Sequence, residues 1–87
     1  MLYKLYSAVD RCMPCKMLVR DLDKNFPDWK SYIRYIDADT MDSQDAKLLI
    51  DLKVFSVPTV TDDSKVLFKG YNPNMVQKIK ELCLTQE

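Results

Sequence analysis

The sequence has very little of several residue types that mark particular functions. Its 87 residues include one glycine and no histidine, so a zinc site within one chain would need carboxylates to complete it, and we predict no metal site. Thirteen basic residues balance thirteen acidic ones, which argues against nucleic acid as a partner. No apolar run reaches the length of a signal peptide or a membrane span. We therefore expect no membrane association and a cytoplasmic location.

Cysteine is scarce as well. An odd count of three cysteines in a chain that shows no secretion signal argues against a disulfide scaffold and indicates a reducing compartment. An oxidisable pair is then more often catalytic than structural. The remaining composition, 47% hydrophobic and 30% charged, is that of a globular protein. A chain of this length can form only one hydrophobic core. We therefore expect a single domain over residues 1–87, and we expect a monomer.

The patterning predicts the element order β-α-β-α-β-β-α. The strands are predicted over 2–7, 32–36, 57–61 and 65–69, the second of them central. The first helix begins at the cysteines and ends before Pro27, the second runs from a Ser43 cap to about Leu52, and the third has Asn72 as cap and Pro73 at its first position. The polar turn 62–64 makes the last two strands an antiparallel hairpin. The right-handed crossover rule makes the first two strands parallel neighbours.

Each predicted helix has an apolar face that should contact the core. On the first helix this face consists of Cys15, Leu18, Val19, Leu22 and Phe26. On the second it consists of Ala46, Leu49 and Ile50, with Asp45, Lys47 and Asp51 in solvent. On the third it consists of Met75, Val76, Ile79, Leu82 and Cys83. Cys83 is therefore interpreted as a buried filler in preference to a regulatory thiol, and Trp29 as a partly buried anchor.

The segment Cys12-Met13-Pro14-Cys15 carries the candidate chemistry. Pro14 suits the first turn of a helix, and the free N–H groups and dipole of a helix start favour a thiolate, which is the attacking species. Cys12, nearer the helix end, is predicted as the nucleophile and Cys15 as the resolving thiol of a redox-active disulfide. No bound cofactor is needed. Arg11 and Lys16 flank the pair as possible electrostatic modulators.

Other interpretations of the cysteine pair stay open. The pair could be part of a zinc site completed by carboxylates or by a second chain. It could be a structural disulfide, although so short a loop removes little entropy from the unfolded state. Both cysteines could also be apolar fillers.

Two segments resemble the thioredoxin superfamily. Cys12-Met13-Pro14-Cys15-Lys16 is similar to the thioredoxin C-G-P-C-K motif, and Phe55-Ser56-Val57-Pro58-Thr59 is similar to the segment that bears the cis-proline of that family. The resemblance implies an α/β thioredoxin-like fold, a four-stranded mixed sheet with helices one and three on one face and helix two on the other. It also implies a cis Pro58 and a substrate surface made of Met13, Pro14, Val57, Pro58 and Gly70.

The implied function is the reduction of protein disulfides. Disulfide-containing proteins are the expected partners, ribonucleotide reductase being a plausible one, with thioredoxin reductase or glutathione as the electron source. The chain departs from thioredoxins at Arg11 and Tyr6, where they carry Trp and a buried Asp, and after Gly70 it lacks the second Gly and the acid of glutaredoxins. Gly70 itself is expected to adopt a positive φ angle. The alternatives are a glutathione-dependent glutaredoxin and a non-catalytic thiol or zinc-mediated binding module.

Overall fold

The computed structural model describes residues 3–54 and 56–85. Its elements are β1 (Tyr3–Ser7), α1 (Met13–Asn25), a short 3₁₀ helix (Pro27–Ser31), β2 (Ile33–Asp37), α2 (Ser43–Asp51), β3 (Thr59–Thr61), β4 (Val66–Lys69) and α3 (Met75–Leu84). The predicted order is confirmed, with the 3₁₀ helix added. Leu2, predicted to begin the first strand, and Phe55, part of the proline motif, lie outside the described residues.

The four strands form one mixed sheet in the order β2-β1-β3-β4. β1 runs parallel to β2 and antiparallel to β3, and β3 and β4 form the predicted hairpin. The prediction that the second strand is central is wrong, since in the described sheet β2 pairs with β1 alone. Two of its apolar residues are instead buried on opposite faces of the sheet, because Ile33 contacts the core on one side and Ile36 the core on the other.

The two faces of the sheet carry separate cores. On one face, Leu5 of β1 packs with Leu18 of α1 and Ile79 of α3. On the other, Tyr6 packs with Leu49 of α2. Because side chains alternate along a strand, β1 supplies both cores, and the predicted placement of the helices is confirmed. Among the described residues no helix has the length and apolar character needed to cross a bilayer.

The start of α2 differs by one residue from the prediction. Asp42, not Ser43, is the N-cap, and its carboxylate accepts a hydrogen bond of 2.9 Å from the backbone N–H of Asp45. Both residue types are good caps. Asp42 takes the position because its side chain reaches the N–H three residues on, while Ser43 becomes the first helical residue.

The start of α3 is two residues later than predicted. Asn72 and Pro73 precede the helix in a turn, where the Asn72 side chain accepts a hydrogen bond of 2.8 Å from the N–H of Asn74. The helix begins at Met75. The side chain of Asn72 therefore stabilises a local turn instead of a helix end.

The predicted faces of α2 are wrong at two positions. Asp45 is only 7% exposed, and Ile50, expected in the core, is 60% exposed. Arg34 of β2 donates two hydrogen bonds, of 3.2 and 3.1 Å, to the Asp45 carboxylate. A paired carboxylate can be buried where an unpaired one cannot. Pairing with Arg34 therefore allows Asp45 to be buried, although its polarity alone predicts that it is exposed.

Candidate functional site

The cysteine pair lies where β1 passes into α1. β1 ends at Ser7, and a turn closed by a 3.1 Å hydrogen bond from the Arg11 N–H to the Ala8 carbonyl leads to Cys12. Cys12 is the N-cap of α1, and its sulfur accepts a hydrogen bond of 3.3 Å from the backbone N–H of Cys15. Pro14 lies in the first turn, where no intrahelical bond is lost. The predicted helix start at the cysteines is confirmed.

The two sulfurs occupy different environments. Cys12 is half-buried, and its thiol lies 3.8 Å from the carbonyl oxygen of Val57. Cys15 is completely buried, and its sulfur accepts a hydrogen bond of 3.4 Å from the backbone N–H of Ala8. An incoming molecule can therefore reach Cys12 directly, whereas Cys15 lies behind it.

Burial is the main influence on the Cys15 thiol. It raises the pKa of Cys15, and the hydrogen bond with Cys12 raises it further. The Ala8 N–H and the Ser7 hydroxyl act in the opposite direction and lower the same pKa, because they stabilise the charged sulfur. Two donors from the end of β1 thus partly offset the desolvation of the inner cysteine.

The Val57-Pro58 segment faces Cys12. The peptide bond between these residues is cis, as the resemblance implies. Pro58 is buried, and its carbonyl accepts a hydrogen bond of 2.8 Å from the N–H of Gly70. The Thr59 hydroxyl donates a bond of 2.8 Å to the Ser56 carbonyl. These bonds anchor the segment on the hairpin side and leave Val57 beside the outer cysteine.

Gly70 acts through its backbone. Its φ angle is +78°, which confirms the expected positive value and favours glycine at this position. A Cβ there would meet no atom within 4 Å, so the requirement is conformational and not one of space. Gly70 supports Pro58 but does not line the groove next to Cys12.

An open groove of about 670 Å³ begins at Cys12. Five of the predicted site residues line it, namely Arg11, Cys12, Met13, Pro14 and Val57. The opposite wall is apolar and comes from α2 and the segments that flank it: Met41, Ala46, Leu49, Ile50 and Val54. The side chain of Met13 is 64% exposed at its edge. Sequence reasoning missed this wall, because the spacing of Ile50 predicts a core position and only the structure shows its side chain exposed beside the groove.

The two predicted modulators differ in their surroundings. Arg11 lines the groove, and its Nε lies 2.9 Å from each carboxylate oxygen of Asp39. Its charge is therefore already paired, although both side chains are well exposed. Lys16 is exposed on α1 and belongs neither to the groove nor to any ion pair found among the described residues.

Tyr6 and Ser7, adjacent on β1, lie on opposite faces of the sheet. Tyr6 is buried against α2, where its hydroxyl donates a bond of 3.3 Å to the Asp45 carbonyl. Burial, followed by the charge of Asp45, raises the pKa of Tyr6. Ser7 is also completely buried and acts on Cys15. Spacing from the cysteines points to Tyr6, and Ser7 cannot be singled out from the sequence, because only the strand's orientation shows which residue faces the cysteines.

Cys83 lies apart from this arrangement. It is 1% exposed in the core cluster beneath α1 and α3, and burial raises the pKa of its thiol to about 11. Trp29 is completely buried in the same cluster, deeper than expected, and its indole N–H donates a 2.8 Å bond to Asp23. In the described part of the chain, no three potential metal ligands among His, Cys, Asp and Glu converge.

Comparison with solved structures identifies the fold. Thioredoxin from Trypanosoma brucei brucei superposes with a TM-score of 0.61, covering 97% of this chain and 74% of that one at 22% sequence identity. The chain has a thioredoxin fold. No family model and no curated protein sequence matches it. Within this thioredoxin fold, Cys12 and Cys15 lie at the start of α1, and Cys12 faces the cis Val57-Pro58 peptide bond.

Proposed function

We propose that this protein is a thiol–disulfide oxidoreductase that reduces protein disulfides through Cys12 and Cys15. The observation that carries the proposal is the arrangement of the two sulfurs at one helix start. The Cys12 sulfur faces a groove and accepts a hydrogen bond of 3.3 Å from the Cys15 N–H, while the Cys15 sulfur is buried behind it. An accessible thiol next to a shielded one is what a two-step exchange requires.

The reaction proceeds through a mixed disulfide. The Cys12 thiolate attacks one sulfur of the partner's disulfide, a Cys12–partner bond forms, and the other partner sulfur leaves as a thiolate. Cys15 then attacks the Cys12 sulfur, which forms the Cys12–Cys15 disulfide and releases the second partner thiol. Two electrons pass to the partner. The Cys15 N–H donates a hydrogen bond of 3.3 Å to the Cys12 sulfur, which holds this sulfur at the helix start before the first step.

The groove supports the proposal that the substrates are protein disulfides. An extended partner segment beside Val57 would bring its cysteine to Cys12, since the Val57 carbonyl lies 3.8 Å from that sulfur. Met13, Pro14 and the apolar wall that includes Ile50 offer contacts to side chains of a protein. The Gly70 N–H holds Pro58 in place from behind. Glutathione, a small charged peptide, would find Arg11 already paired with Asp39.

The electron source is proposed to be thioredoxin reductase, in the cytoplasm, with ribonucleotide reductase as a plausible acceptor. Oxidised protein supplied either with NADPH and thioredoxin reductase or with glutathione and glutathione reductase separates the two possible donors. We expect rapid NADPH consumption with the first system. Faster reduction by the second would assign the protein to the glutathione-dependent class, and failure with both would contradict the oxidoreductase function.

Single cysteine variants test the proposed roles. In insulin reduction, we expect Cys12→Ser to abolish activity, Cys15→Ser to accumulate a mixed disulfide, and the control Cys83→Ala, which removes a thiol outside the groove, to keep activity. Retained activity in Cys12→Ser would contradict the assignment. Zinc bound stoichiometrically to the native protein, measured by native mass spectrometry, would instead favour a binding module.

A further inference from the structure

Ser7 ends the face of β1 that α1 covers. Tyr3 and Leu5 lie in the core shared with α1, and strand alternation places Ser7 on the same face, at the end nearest the helix start. Its backbone is fixed by the parallel pairing with β2, where the Ser7 carbonyl accepts a hydrogen bond of 2.8 Å from the N–H of Ala38. The Ser7 side chain therefore lies on the face of the sheet that α1 covers, at the end of β1 that leads to the cysteines.

The Ser7 hydroxyl is a buried polar group without a regular partner. The residue has no exposed surface, and among the described residues no atom forms a hydrogen bond of acceptable geometry with its Oγ. Buried hydroxyls without a hydrogen-bond partner are uncommon, because removing a hydroxyl from water costs free energy when no new hydrogen bond replaces those to water. The hydroxyl nevertheless lies near enough to the Cys15 thiol to lower its pKa.

The charge state of Cys15 explains why the Ser7 hydroxyl has no hydrogen-bond partner among the described residues and yet lowers the pKa of Cys15. A neutral thiol is a weak acceptor, so it leaves the hydroxyl without a good bond, whereas a thiolate is a strong one. The neighbouring Ala8 N–H already points at the same sulfur from 3.4 Å. Ser7, the last residue of β1, and Ala8, which follows it, thus both present donors at the place where Cys15 becomes charged.

We propose that Ser7 is a positioning residue for the resolving step, donating a hydrogen bond from its hydroxyl to the Cys15 sulfur as that sulfur attacks Cys12. The inference rests on the proposed function. In this step the Cys15–Cys12 bond forms, the Cys12–partner bond breaks, and the electron pair leaves with the partner sulfur. The proton of Cys15 passes to solvent or to the departing thiolate, and Ser7 keeps its own proton.

Other groups near Cys15 do not replace this donor. Cys12 is the titratable group that acts on Cys15, and it opposes ionisation through its hydrogen bond and its charge. On the strand side, Leu5 and Ser7 carry no charge. The charged side chains of the turn and the first helical turn are exposed to solvent: Asp10, Arg11 and Lys16.

The test is the pH dependence of the resolving step. When the reduced protein is mixed with Ellman's reagent in a stopped-flow instrument, one thionitrobenzoate is released as Cys12 forms the mixed disulfide, and a second as Cys15 attacks it. Each phase is recorded between acid and alkaline pH for the Cys83→Ala protein, with and without Ser7→Ala. Thr61→Val is the matched control, because Thr61 on β3 also carries a buried hydroxyl without a partner among the described residues and pairs with Lys4, away from the cysteines.

Ser7→Ala should raise the apparent pKa of the second phase by about one unit, the effect of losing one hydrogen bond to a charged group. A thiolate of higher pKa is also the better nucleophile. In Ser7→Ala the second phase should therefore be about threefold to fourfold slower at neutral pH than in the protein that keeps Ser7. At alkaline pH, where Cys15 is ionised in both proteins, it should be about threefold faster. The plots of second-phase rate against pH for the two proteins should therefore cross. The first phase, and both phases of Thr61→Val, should match the unsubstituted protein.

A second phase with unchanged pH dependence in Ser7→Ala, or one slowed equally at every pH, would overturn the role of Ser7 and leave the proposed function intact. If no second phase occurs even with Ser7 present, the proposed function itself fails. Should Ser7→Ala not fold, as judged by circular dichroism, the isosteric pair Ser7→Thr and Ser7→Val replaces it. Threonine should then keep the original profile and valine should shift it, and equal profiles for the pair would refute the inference.

Discussion

Alkylation of the reduced, folded protein should distinguish its three cysteines sharply. Cys83 is 1% exposed, and burial raises the pKa of its thiol from an ordinary 9.0 to about 11. Because the thiolate is the reacting form, that difference leaves about one hundredth as much thiolate at neutral pH. A thiolate of higher pKa is also the better nucleophile, so ionisation alone should slow alkylation of Cys83 about tenfold relative to an ordinary exposed thiol. Exclusion of the reagent from the buried sulfur should slow it further.

Cys15 should also be protected, because it has no exposed surface and lies behind Cys12. Cys12, half-buried at the edge of the groove, should react first. The assay is a time course with iodoacetamide near neutral pH, with the modified peptides quantified by mass spectrometry. A parallel sample in urea is the control, since unfolding should bring the three rates close together.

The outcome that would refute this reasoning is specific. If Cys83 in the folded protein reacts as quickly as Cys83 in urea, then its burial in the core does not control its reactivity, and its interpretation as a filler is wrong. If Cys15 reacts before Cys12, the assignment of outer and inner thiols is reversed.

Further predictions concern stability. The raised pKa of Cys83 means that its neutral thiol stabilises the fold below about pH 9 and that this contribution disappears as pH rises towards 11; over that range, urea titrations should show a loss of about 3 kcal/mol relative to Cys83→Ala. Arg34→Met leaves the buried Asp45 carboxylate unpaired and should lower the free energy of unfolding by about 1–3 kcal/mol, whereas adding Asp45→Asn should recover part of the loss. Gly70→Ala should cost about 1–2 kcal/mol for its positive φ, and thermal unfolding with no loss of stability would show that this conformation imposes no cost.

The order of elements could be predicted because apolar periodicity reports burial, and burial of one helix face or one strand is a local property of the sequence. Which strands pair with a given strand is not a local property of the sequence. β2 looks central from its apolar residues, yet it lies at the edge of the described sheet, where Ile33 contacts the core on one face and Ile36 the core on the other. Likewise, Asp45 looks solvated until Arg34 on another element is placed beside it.

The candidate site likewise contains some residues that the sequence identifies and others that only the folded structure shows. Cys12, Cys15 and Pro58 could be singled out because the motifs that carry them are short and their geometry is set by the local chain. The apolar wall that includes Ile50 could not, since it faces Cys12 only after α2 packs on the sheet. Ser7 required the orientation of β1, because a shift of one residue would have directed Tyr6 at the cysteines instead.

The most direct test of the central claim follows the disulfide itself. Reduced protein is mixed with a disulfide-containing protein substrate, the reaction is quenched with acid and alkylated, and the peptides are mapped by mass spectrometry. We predict a disulfide that links Cys12 to Cys15, an equivalent loss of the substrate's disulfide, and Cys83 recovered as a free thiol. A substrate disulfide left intact, or Cys12 and Cys15 both recovered as free thiols, would contradict it.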